Sequence, residues 1–556
     1  MKTFHQYRNS IALLAALCTM ASGCSKSFSD RPPVDQIAVD NFYQNNSQVQ
    51  ASTNVLYSVP WFGYQTKVGW SITELYGGNG RTYSGDVVNF GNFSVTNVNF
   101  EIQAAWNALF TEVAQANSLI NTLPGKVSPS VDSAVLHNAL GEAHFWRAMA
   151  YFHLVRIFGP VPIIEDYSKY ILNYQVNTNP ITDVYKFITN DLKFAEANLT
   201  HMIRSGSSVA QGRVSSGSAS AVLAKVYLYM QDYADAQAEA QKVINSGEFK
   251  MYGVGVQGKT FSDLFLTANN NNEESVVALQ WQGGAGYGFG NATQAAWAYN
   301  GQITGFSDGY GQMGPTFSLF DEYDTLHDTR FRATIMMPGS HYSSLDAAAG
   351  GYTLPATASS QGTSMEPKKY VVGTAADNGG VGGAQSMGNN TYLMRYSEVY
   401  LILAEAIMAG AKTSTDPNAL AAINVVRGRA GLSSLDSIRR GYSTPNNALA
   451  FYAYPGGAPQ TLYRDDILEE RRREFALEND FWYDLARLDG YNVTTHPIAK
   501  TIILQQDRGT GGGTATSGRY GNGFLPIADN QFLLPIPATE TTSDPLLLQP
   551  PQPYHF

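Results

Sequence analysis

One pentapeptide, Gly305-Phe-Ser-Asp-Gly309, matches the G-x-S-x-G pattern of serine hydrolases. In those enzymes the serine lies on a tight turn between a strand and a helix, which exposes its hydroxyl for nucleophilic attack. Here Gly301 precedes the motif, and Gly311 and Gly314-Pro315 follow it, so neither element is predicted beside it. An esterase is therefore not favoured, because chance matches are expected in a chain with 52 glycines.

Carboxylates are the second group that could do chemistry. Four of them share one predicted helix and could suggest the acid pair of a glycosidase: Glu469, Glu470, Glu474 and Glu478. They are interleaved with Arg471 to Arg473, so salt bridges on the helix surface or in helix packing are the favoured interpretation.

Metal ligands are poorly spaced. Asp321, Asp324 and Asp328 lack the spacing of a calcium loop. Glu142 and His144 do not form the H-E-x-x-H motif of zinc enzymes. No cofactor and no metal site are therefore predicted, although a single bound cation elsewhere stays compatible with the sequence.

The N-terminus has the pattern of a signal peptide. The apolar run Ile11–Met20 follows basic residues and is too short to span a bilayer permanently. Ala21-Ser-Gly23 then precedes Cys24, which resembles a bacterial lipobox, with Ala21 where leucine is usual. We predict a lipoprotein signal peptide over residues 1–23 and lipidation of Cys24, with an ordinary secretory peptide as the alternative. No later segment is a transmembrane candidate, so acyl chains would be the membrane attachment.

Composition narrows the class of partner. The 556 residues carry a net charge of −10, and phosphate binding needs a basic face, so nucleic acid is not expected as a partner. Aromatic residues make up 12%, including 33 tyrosines. Abundant Tyr, Trp, Asn and Gly in loops is typical of large ordered loops that bind a polar, flat-faced ligand.

The elements that must position such loops are predicted to be helices. The segment Gly141–Pro162 is apolar on almost every side and stops at Gly159-Pro160, which indicates a helix buried between others. Its Arg147 and His144 are expected to have partners, because buried unpaired charges are costly. Helical pairs resembling tetratricopeptide units, without a strict period, are predicted at 100–123 with 141–158, at 216–229 with 233–244, and at 392–409 with 417–430.

Three segments lack helical periodicity: Pro60–Asn99, Gly283–Pro315 and Gly339–Gly388. They are predicted to be long loops, and long loops in compact domains are usually functional. Between them Glu274–Trp281 alternates like a short strand.

An ordered set of motifs resembles the SusD/RagB family of outer-membrane nutrient-binding lipoproteins over essentially the whole mature chain. The motifs are Asn41-Phe-Tyr43, Trp106 with Ala116–Ile120, Gly141–Ala148 with Phe158–Pro162, Gly212–Val214, Met394–Leu401 with Ala404–Ala406, Ile423–Arg427, Glu470–Arg472 with Glu474, Asp484-Leu485 and Pro535–Pro537. The chain departs from the family at Phe481, where an arginine is usual, and in its ending Gln549–Tyr554. Lys26 also interrupts the acidic export signal that often follows the lipidated cysteine.

The resemblance implies a mainly α fold: a tetratricopeptide-like scaffold of helical pairs with a less regular, loop-rich ligand-binding face and a few short strands. It implies one SusD-like domain over residues 24–556, with an N-terminal half at 24–250 and a C-terminal half at 251–556 that carries inserted loops. The implied function is non-catalytic glycan binding at the cell surface. The protein would be anchored by lipid to the outer membrane, facing the exterior, and would capture ligand for a TonB-dependent, SusC-like transporter.

Glycan binding needs exposed rings that stack on the flat C–H faces of sugars, next to polar groups that bond the hydroxyls. Trp106, Trp146 and Trp482 fall in scaffold motifs, and Trp61 and Trp281 adjoin regular elements, so core packing is expected for these five. The resemblance therefore favours other residues as ligand contacts. The predicted rings are Trp70, Trp297 and Tyr299, with Tyr76 and Tyr310 behind them, and the predicted hydroxyl partners are Asn79, Arg81 and Asp308.

Two other functions stay open. Some relatives bind peptides or other polymers, and an all-helical glycan-degrading enzyme is an alternative of a different class. Ring number does not encode the identity of a sugar, so the sequence names neither a glycan nor a linkage.

Overall fold

The computed structural model describes residues 42–206, 209–446, 461–508 and 525–556. The predicted signal peptide at 1–23, Cys24 and Asn41 of the first motif lie outside the described residues. Within them, no helix is both long enough and apolar enough to cross a bilayer.

Helices make up most of the regular structure. The α-helices of the described residues are α1 Asn46–Ser52, α2 Val88–Gly91, α3 Phe100–Lys126, α4 Ser133–Phe158, α5 Ile181–Asn198, α6 Ser216–Tyr229, α7 Tyr233–Ser246, α8 Thr293–Trp297, α9 Gly301–Thr304, α10 Phe317–Phe320, α11 Phe331–Thr334, α12 Tyr396–Met408, α13 Pro417–Arg429, α14 Asp466–Phe475, α15 Phe481–Ala486, α16 Pro497–Leu504 and α17 Ala538–Ser543. Two π-helical turns, Tyr64–Val68 and Ser71–Tyr76, and 3₁₀ turns at Thr53–Tyr57 and Val59–Trp61 lie between α1 and α2.

Strands are short and scattered. They are β1 Gly80–Arg81, β2 Ser275–Leu279, β3 Gly314–Pro315, β4 Ile335–Met336, β5 His341–Tyr342, β6 Tyr352–Thr353, β7 Glu366–Pro367, β8 Thr391–Arg395, β9 Thr413–Ser414, β10 Ile438–Pro445 and β11 Thr461–Asp465. All pairings are antiparallel: β1 with β3, β2 with β8, β4 with β7, β5 with β6, and β10 with both β9 and β11.

The scaffold is a row of long helices. Each of α3, α4, α5, α6, α7, α12 and α13 packs on the next in that order. Their starts are fixed by side-chain caps, which satisfy backbone N–H groups that have no partner in the first turn. Asn99 caps α3, Ser215 caps α6, Asp232 caps α7 and Asp416 caps α13. The prediction of a mainly α, pair-built fold is confirmed.

The polar residues of the buried helix α4 all have partners. Glu142 accepts hydrogen bonds from Thr53 Oγ1 at 2.7 Å, Tyr57 Oη at 2.9 Å and Arg213 Nη1 at 2.7 Å. Arg147 and His144 both contact the carboxylate of Asp191, at 2.7 and 2.6 Å. The structural role predicted for Arg147 and His144 is therefore confirmed.

A buried ion network holds the C-terminal helices. The carboxylate of Glu474 on α14 contacts Arg395 at 2.7 Å and Arg330 at 3.0 Å, and also binds Arg429. The carboxylate of Glu470, one turn earlier, contacts Arg330 at 2.7 Å. The glutamates of this helix are thus salt-bridged, as predicted, but Glu470 and Glu474 are inside the protein rather than on a helix surface.

The segment predicted as a loop over Pro60–Asn99 is instead largely helical up to Tyr76, and that prediction was wrong. Its apolar residues Tyr64, Val68, Ile72 and Tyr76 recur every fourth position and are buried. The π-helical turns pack against α3 and α15, so tertiary contacts maintain a helical conformation that Gly63 and Gly69 disfavour locally.

Candidate functional site

Two of the predicted ligand rings lie inside the protein. Trp70 is 0% exposed and Trp297 is 1% exposed. Their rings meet edge to face, with centroids 6.2 Å apart, and Trp70 Nε1 donates to the carbonyl of Thr66 at 3.0 Å. The expectation that these tryptophans are exposed on loops is corrected, because both pack between elements and present no face to solvent.

Three other predicted residues are also internal. Tyr76 donates its hydroxyl to the carbonyl of Gln531 at 2.8 Å. Asn79 lies between Glu74 and Arg472, with contacts of 2.9 and 2.8 Å. Since all their polar atoms named here are engaged within the fold and both side chains are buried, Tyr76 and Asn79 are not placed to bond a sugar from outside.

The remaining predicted residues lie at or just under the surface. Tyr310 is 53% exposed, and Tyr299 is half-buried. Asp308 is buried and accepts a hydrogen bond from the backbone N–H of Gln385 at 2.7 Å. Arg81 is buried beside the exposed Tyr83 and donates to its hydroxyl. Of the predicted rings, Tyr310 is the one that the structure presents to solvent.

Three further aromatic rings are exposed on neighbouring loops, and sequence reasoning did not select them. Tyr83 is 47% exposed, Tyr287 59% and Phe289 49%. We call Tyr83, Tyr287, Phe289 and Tyr310 the tyrosine face. Their loops are joined by hydrogen bonds and ring contacts.

Gln361 connects the loops of Tyr83 and Tyr310. Its Oε1 accepts a hydrogen bond from the backbone N–H of Tyr83 at 2.6 Å, and its Nε2 donates to the carbonyl of Gly311. Gly311 follows Tyr310 directly, so one buried amide fixes both tyrosines relative to each other.

Phe62 and Lys67 connect Tyr287 to the same loops. The ring of Tyr287 packs edge to face on Phe62, with centroids 4.7 Å apart. Lys67 forms an ion pair with Asp86, and Asp86 also accepts from Ser84, the residue after Tyr83, at 2.6 Å. Burial lowers the pKa of Lys67, but the bond to Asp86 outweighs it and raises the pKa overall, so the lysine is charged at neutral pH.

A third connection joins the loop of Tyr287 to that of Tyr310. Ser386 accepts hydrogen bonds from the backbone N–H groups of Gly284, at its carbonyl and 2.9 Å, and of Gly286, at its Oγ and 3.0 Å. The neighbouring Gln385 donates to Asp308, two residues before Tyr310. The four rings of the tyrosine face are therefore carried by one hydrogen-bonded cluster of loops.

The sequence did hold a signal for these rings. Tyr287 and Phe289 alternate with glycines in Gly283–Gly290, without an apolar residue at helical spacing that could bury them. Trp70 has such residues in Val68 and Ile72 on either side. Local apolar periodicity, rather than ring size, separates the exposed aromatics from the buried ones.

The largest cavity of the described residues, about 530 Å³, lies elsewhere, beside β10, β11 and α14. Its charged side chains neutralise one another: Arg464 contacts Glu469 at 2.7 Å and Arg472 contacts Glu322 at 2.9 Å. Burial and the charge of Glu322 raise the pKa of Glu469 to about 7. No group of three His, Cys, Asp or Glu side chains suited to a metal ion occurs in the described part of the chain.

The serine of Gly305-Phe-Ser-Asp-Gly309 does not sit on a hydrolase elbow. Helix α9 precedes it, Gly305 is the left-handed residue that ends this helix, and no helix follows before β3 in this described stretch. The geometry required of a serine nucleophile is therefore missing at this motif.

Comparison with known proteins identifies the class. The model of the SusD family matches residues 273–554, and a second, described as starch-binding and associating with the outer membrane, matches residues 26–228. A SusD-like protein of Bacteroides ovatus is 30% identical over 582 aligned positions, covering 99% of both chains. A SusD-like protein of Formosa agariphila, P2, is 26% identical over 86% of this chain and 90% of its own.

Solved structures agree. A crystal structure with a xylogluco-oligosaccharide is 29% identical, covers 91% of this chain and 99% of its own, and superposes with a TM-score of 0.76. A laminarin-binding SusD-like protein, at 24% identity, shares the fold over 90% of this chain and 98% of its own, with a TM-score of 0.65. The chain belongs to the SusD family of glycan-binding proteins. Association with the outer membrane accompanies that membership.

Proposed function

We propose that the protein captures an oligo- or polysaccharide at the tyrosine face and delivers it, without cleaving it, to a TonB-dependent outer-membrane transporter of the SusC type. In this proposal Cys24 carries the lipid anchor and the protein faces the cell exterior. Tyr310 and Tyr299 keep the ligand role predicted for them, and Tyr83, Tyr287 and Phe289 join them.

The observation that carries the proposal is the tyrosine face itself. Four aromatic rings, each about half exposed, lie on loops that are cross-linked by Gln361, Ser386 and the pair of Lys67 with Asp86. Rings held in place before binding lose little conformational freedom when they stack on a sugar. Lys67, Asp86 and Ser84 are polar groups beside the rings, suited to hydroxyls. The oligosaccharide bound by a relative of 29% identity supports a carbohydrate as the ligand.

Removing single rings tests the face. The chain from Ser25 onward is screened on a glycan array and on affinity gels containing xyloglucan or laminarin. For the glycan retained, Tyr287→Ala and Tyr310→Ala should each weaken binding by roughly 2- to 10-fold, the range of one aromatic contact. Their unfolding curves should match that of the unmodified chain, because half-exposed loop residues contribute little to stability.

Tyr174→Ala is the matched control. Tyr174 is 64% exposed but lies between α4 and α5, outside the cross-linked loops. It should bind as the unmodified chain does. If Tyr174→Ala weakens retention as much as Tyr287→Ala, the ligand does not bind at the tyrosine face.

The anchor and the transporter need separate tests. Cys24→Ala should move the protein from the membrane to the soluble fraction and abolish incorporation of labelled palmitate. Protease added to intact cells should digest the anchored protein if it faces outward. Affinity purification from detergent-solubilised outer membranes should recover a TonB-dependent barrel; recovery of the protein alone would argue against the partnership.

The enzyme alternative has one specific observation in its favour. Glu469 has a pKa of about 7 and shares the 530 Å³ cavity with Glu322, and carboxylates with separated pKa values can act as an acid and a base. Prolonged incubation with retained glycans should release no new reducing ends. Product that appears and is lost in Glu469→Gln would establish catalysis, whereas retention of peptides but no glycans would favour a peptide receptor.

A further inference from the structure

A small cavity adjoins the tyrosine face on the side of Tyr83. Its volume is about 70 Å³, which is the liquid volume of about two water molecules. A carboxylate or a sulfate group is of that size. The lining residues include Arg81, Tyr83, Gly91, Asn92 and Arg508.

Arg508 points its charge into the protein without a counter-ion. It is 2% exposed, and its Nη atoms donate only to neutral oxygens, those of Leu75 and Tyr76 at 2.9 and 2.8 Å and of the Gln506 side chain at 2.8 Å. Its Nε is buried and has no hydrogen-bond partner among the described residues. Burial, together with the nearby charge of Arg472, lowers the pKa of Arg508 to about 9.

Arg81 has a similar environment. It is 7% exposed, its Nη2 donates to the hydroxyl of Tyr83, and its guanidinium lies 4.6 Å from the centre of that ring. Burial lowers the pKa of Arg81, while Tyr83 and Asp507 partly restore it. In the described part of the chain, no carboxylate oxygen lies within 4.0 Å of either Arg81 or Arg508.

Elsewhere the same fold neutralises its buried guanidinium groups at close range. Arg330 and Arg395 each contact carboxylates at 2.7 Å. Leaving a buried charge unpaired costs several kcal/mol, so it persists only where something else compensates it. In a chain with a net charge of −10, carboxylates are not scarce, and their distance from this cavity is a local property of the site.

We propose that the cavity binds one oxyanion of the ligand, the carboxylate of a uronic acid or a sulfate ester, while the neutral part of the glycan stacks on the tyrosine face. This rests on the proposed function. An oxyanion in the cavity would accept hydrogen bonds from Arg508 Nε and Arg81, and charge-assisted bonds of that kind are about twice as strong as neutral ones. The ligand class is therefore an acidic polysaccharide.

The experiment compares ligands that differ only in charge. Oligogalacturonide and its methyl ester are titrated calorimetrically against the purified protein, and so are a κ-carrageenan oligosaccharide and its desulfated form. We expect one charged ligand to bind at least 10-fold more tightly than its neutral counterpart, and the pair that shows the difference identifies the group. Equal affinities within both pairs would overturn the proposal and leave glycan binding intact.

Gly91→Glu is the most selective variant. A Cβ placed at Gly91 meets no atom within 4 Å, and the residue ends α2, so the fold should tolerate a side chain. The new carboxylate would occupy the cavity and compete with the ligand, which should abolish the preference for charge but not the binding of the neutral form. Gly125→Glu, at an equally open position near the end of α3, adds the same charge elsewhere and should leave the preference unchanged.

Arg81→Gln provides a second readout, since it removes charge rather than adding a competitor. It should reduce the preference at least fivefold while neutral binding persists, and an unchanged preference in both Gly91→Glu and Arg81→Gln would contradict the proposal. If the protein retains no glycan of any kind, the proposed function fails, and inorganic sulfate then decides this inference. A sulfate-dependent rise in Tm that is absent in Gly91→Glu would support an oxyanion site, and no rise in the unmodified protein would refute it.

Discussion

Replacing Trp297 or Trp70 by alanine should destabilise the protein, although the sequence suggested that these rings bind ligand from exposed loops. Both are almost fully buried, and they contact each other edge to face. Trp297 also packs edge to face on the buried Tyr370, with centroids 6.2 Å apart. The variants therefore leave cavities inside the core rather than gaps on its surface.

The expected loss can be estimated from burial and hydrogen bonding. Removing a buried tryptophan side chain costs about 3–5 kcal/mol, out of about 5–15 kcal/mol for a typical domain. Trp70→Ala also leaves the carbonyl of Thr66 without its donor, which adds about 1 kcal/mol. Trp297 Nε1 has no partner among the described residues, so Trp297→Phe should cost less than Trp70→Phe.

Urea unfolding followed by circular dichroism measures these differences. We expect the order of stability to be unmodified chain, Trp297→Phe, Trp70→Phe, and then the two alanine variants, with Tyr310→Ala beside the unmodified chain. The reasoning is refuted if Trp70→Ala and Trp297→Ala unfold at the unmodified midpoint while losing glycan retention, because that result would place both rings on the surface.

Three further predictions concern buried carboxylates. Both carboxylate oxygens of Glu112 lack partners among the described residues and burial raises its pKa well above the usual range; the native state then holds a proton that the unfolded chain releases above about pH 4.5, so Glu112→Met should add about 1–3 kcal/mol at pH 7 and less at pH 4, measured by urea unfolding at both. Glu474 is paired with arginines that hold its pKa well below its usual range despite burial, so Glu474→Gln should cost about 3–5 kcal/mol at pH 7, and thermal scans should show the gap narrowing as the pH falls below about 4.5. Burial raises the pKa of Glu366 to about 7 against the bonds from Ser360, so stability should fall between about pH 4.5 and 7, and Glu366→Gln should flatten that part of the Tm profile.

The helical scaffold was predictable because its signals are local. The helix predicted at 216–229 is observed as Ser216–Tyr229, capped by Ser215. The helix predicted at 392–409 begins later, at Tyr396, because Thr391–Arg395 pairs as a strand with Ser275–Leu279. That pairing joins residues more than a hundred positions apart, and no local pattern encodes it.

The candidate site was less predictable for the same physical reason. Two π-helical turns replace the expected loop around Trp70, and they depend on packing against α3 and α15. Whether a loop ring is buried depends on which distant segment covers it, as Tyr370 covers Trp297. Tyr310 was predicted and is exposed, whereas Tyr287 was overlooked because smaller rings in a glycine-rich loop were ranked below tryptophans.

The buried tryptophans can still affect binding indirectly. Helix α8 ends at Trp297, and its neighbours Ala295, Ala296 and Ala298 accept backbone hydrogen bonds of 2.7 to 2.9 Å from residues 310–312. The backbone of Tyr310 is therefore held by the turn that Trp297 anchors in the core. A cavity at Trp297 would loosen this turn and shift the ring of Tyr310.

A double-mutant cycle distinguishes this indirect effect from direct contact. If Trp297 acts through Tyr310, then Trp297→Ala combined with Tyr310→Ala should weaken glycan binding no more than the larger of the two single changes, because the ring that would move is already gone. If both rings touched the glycan independently, the two losses in binding free energy would add. Affinities are compared only under conditions where each variant is folded. Additive losses would overturn the assignment of Trp297 as a residue that positions the tyrosine face.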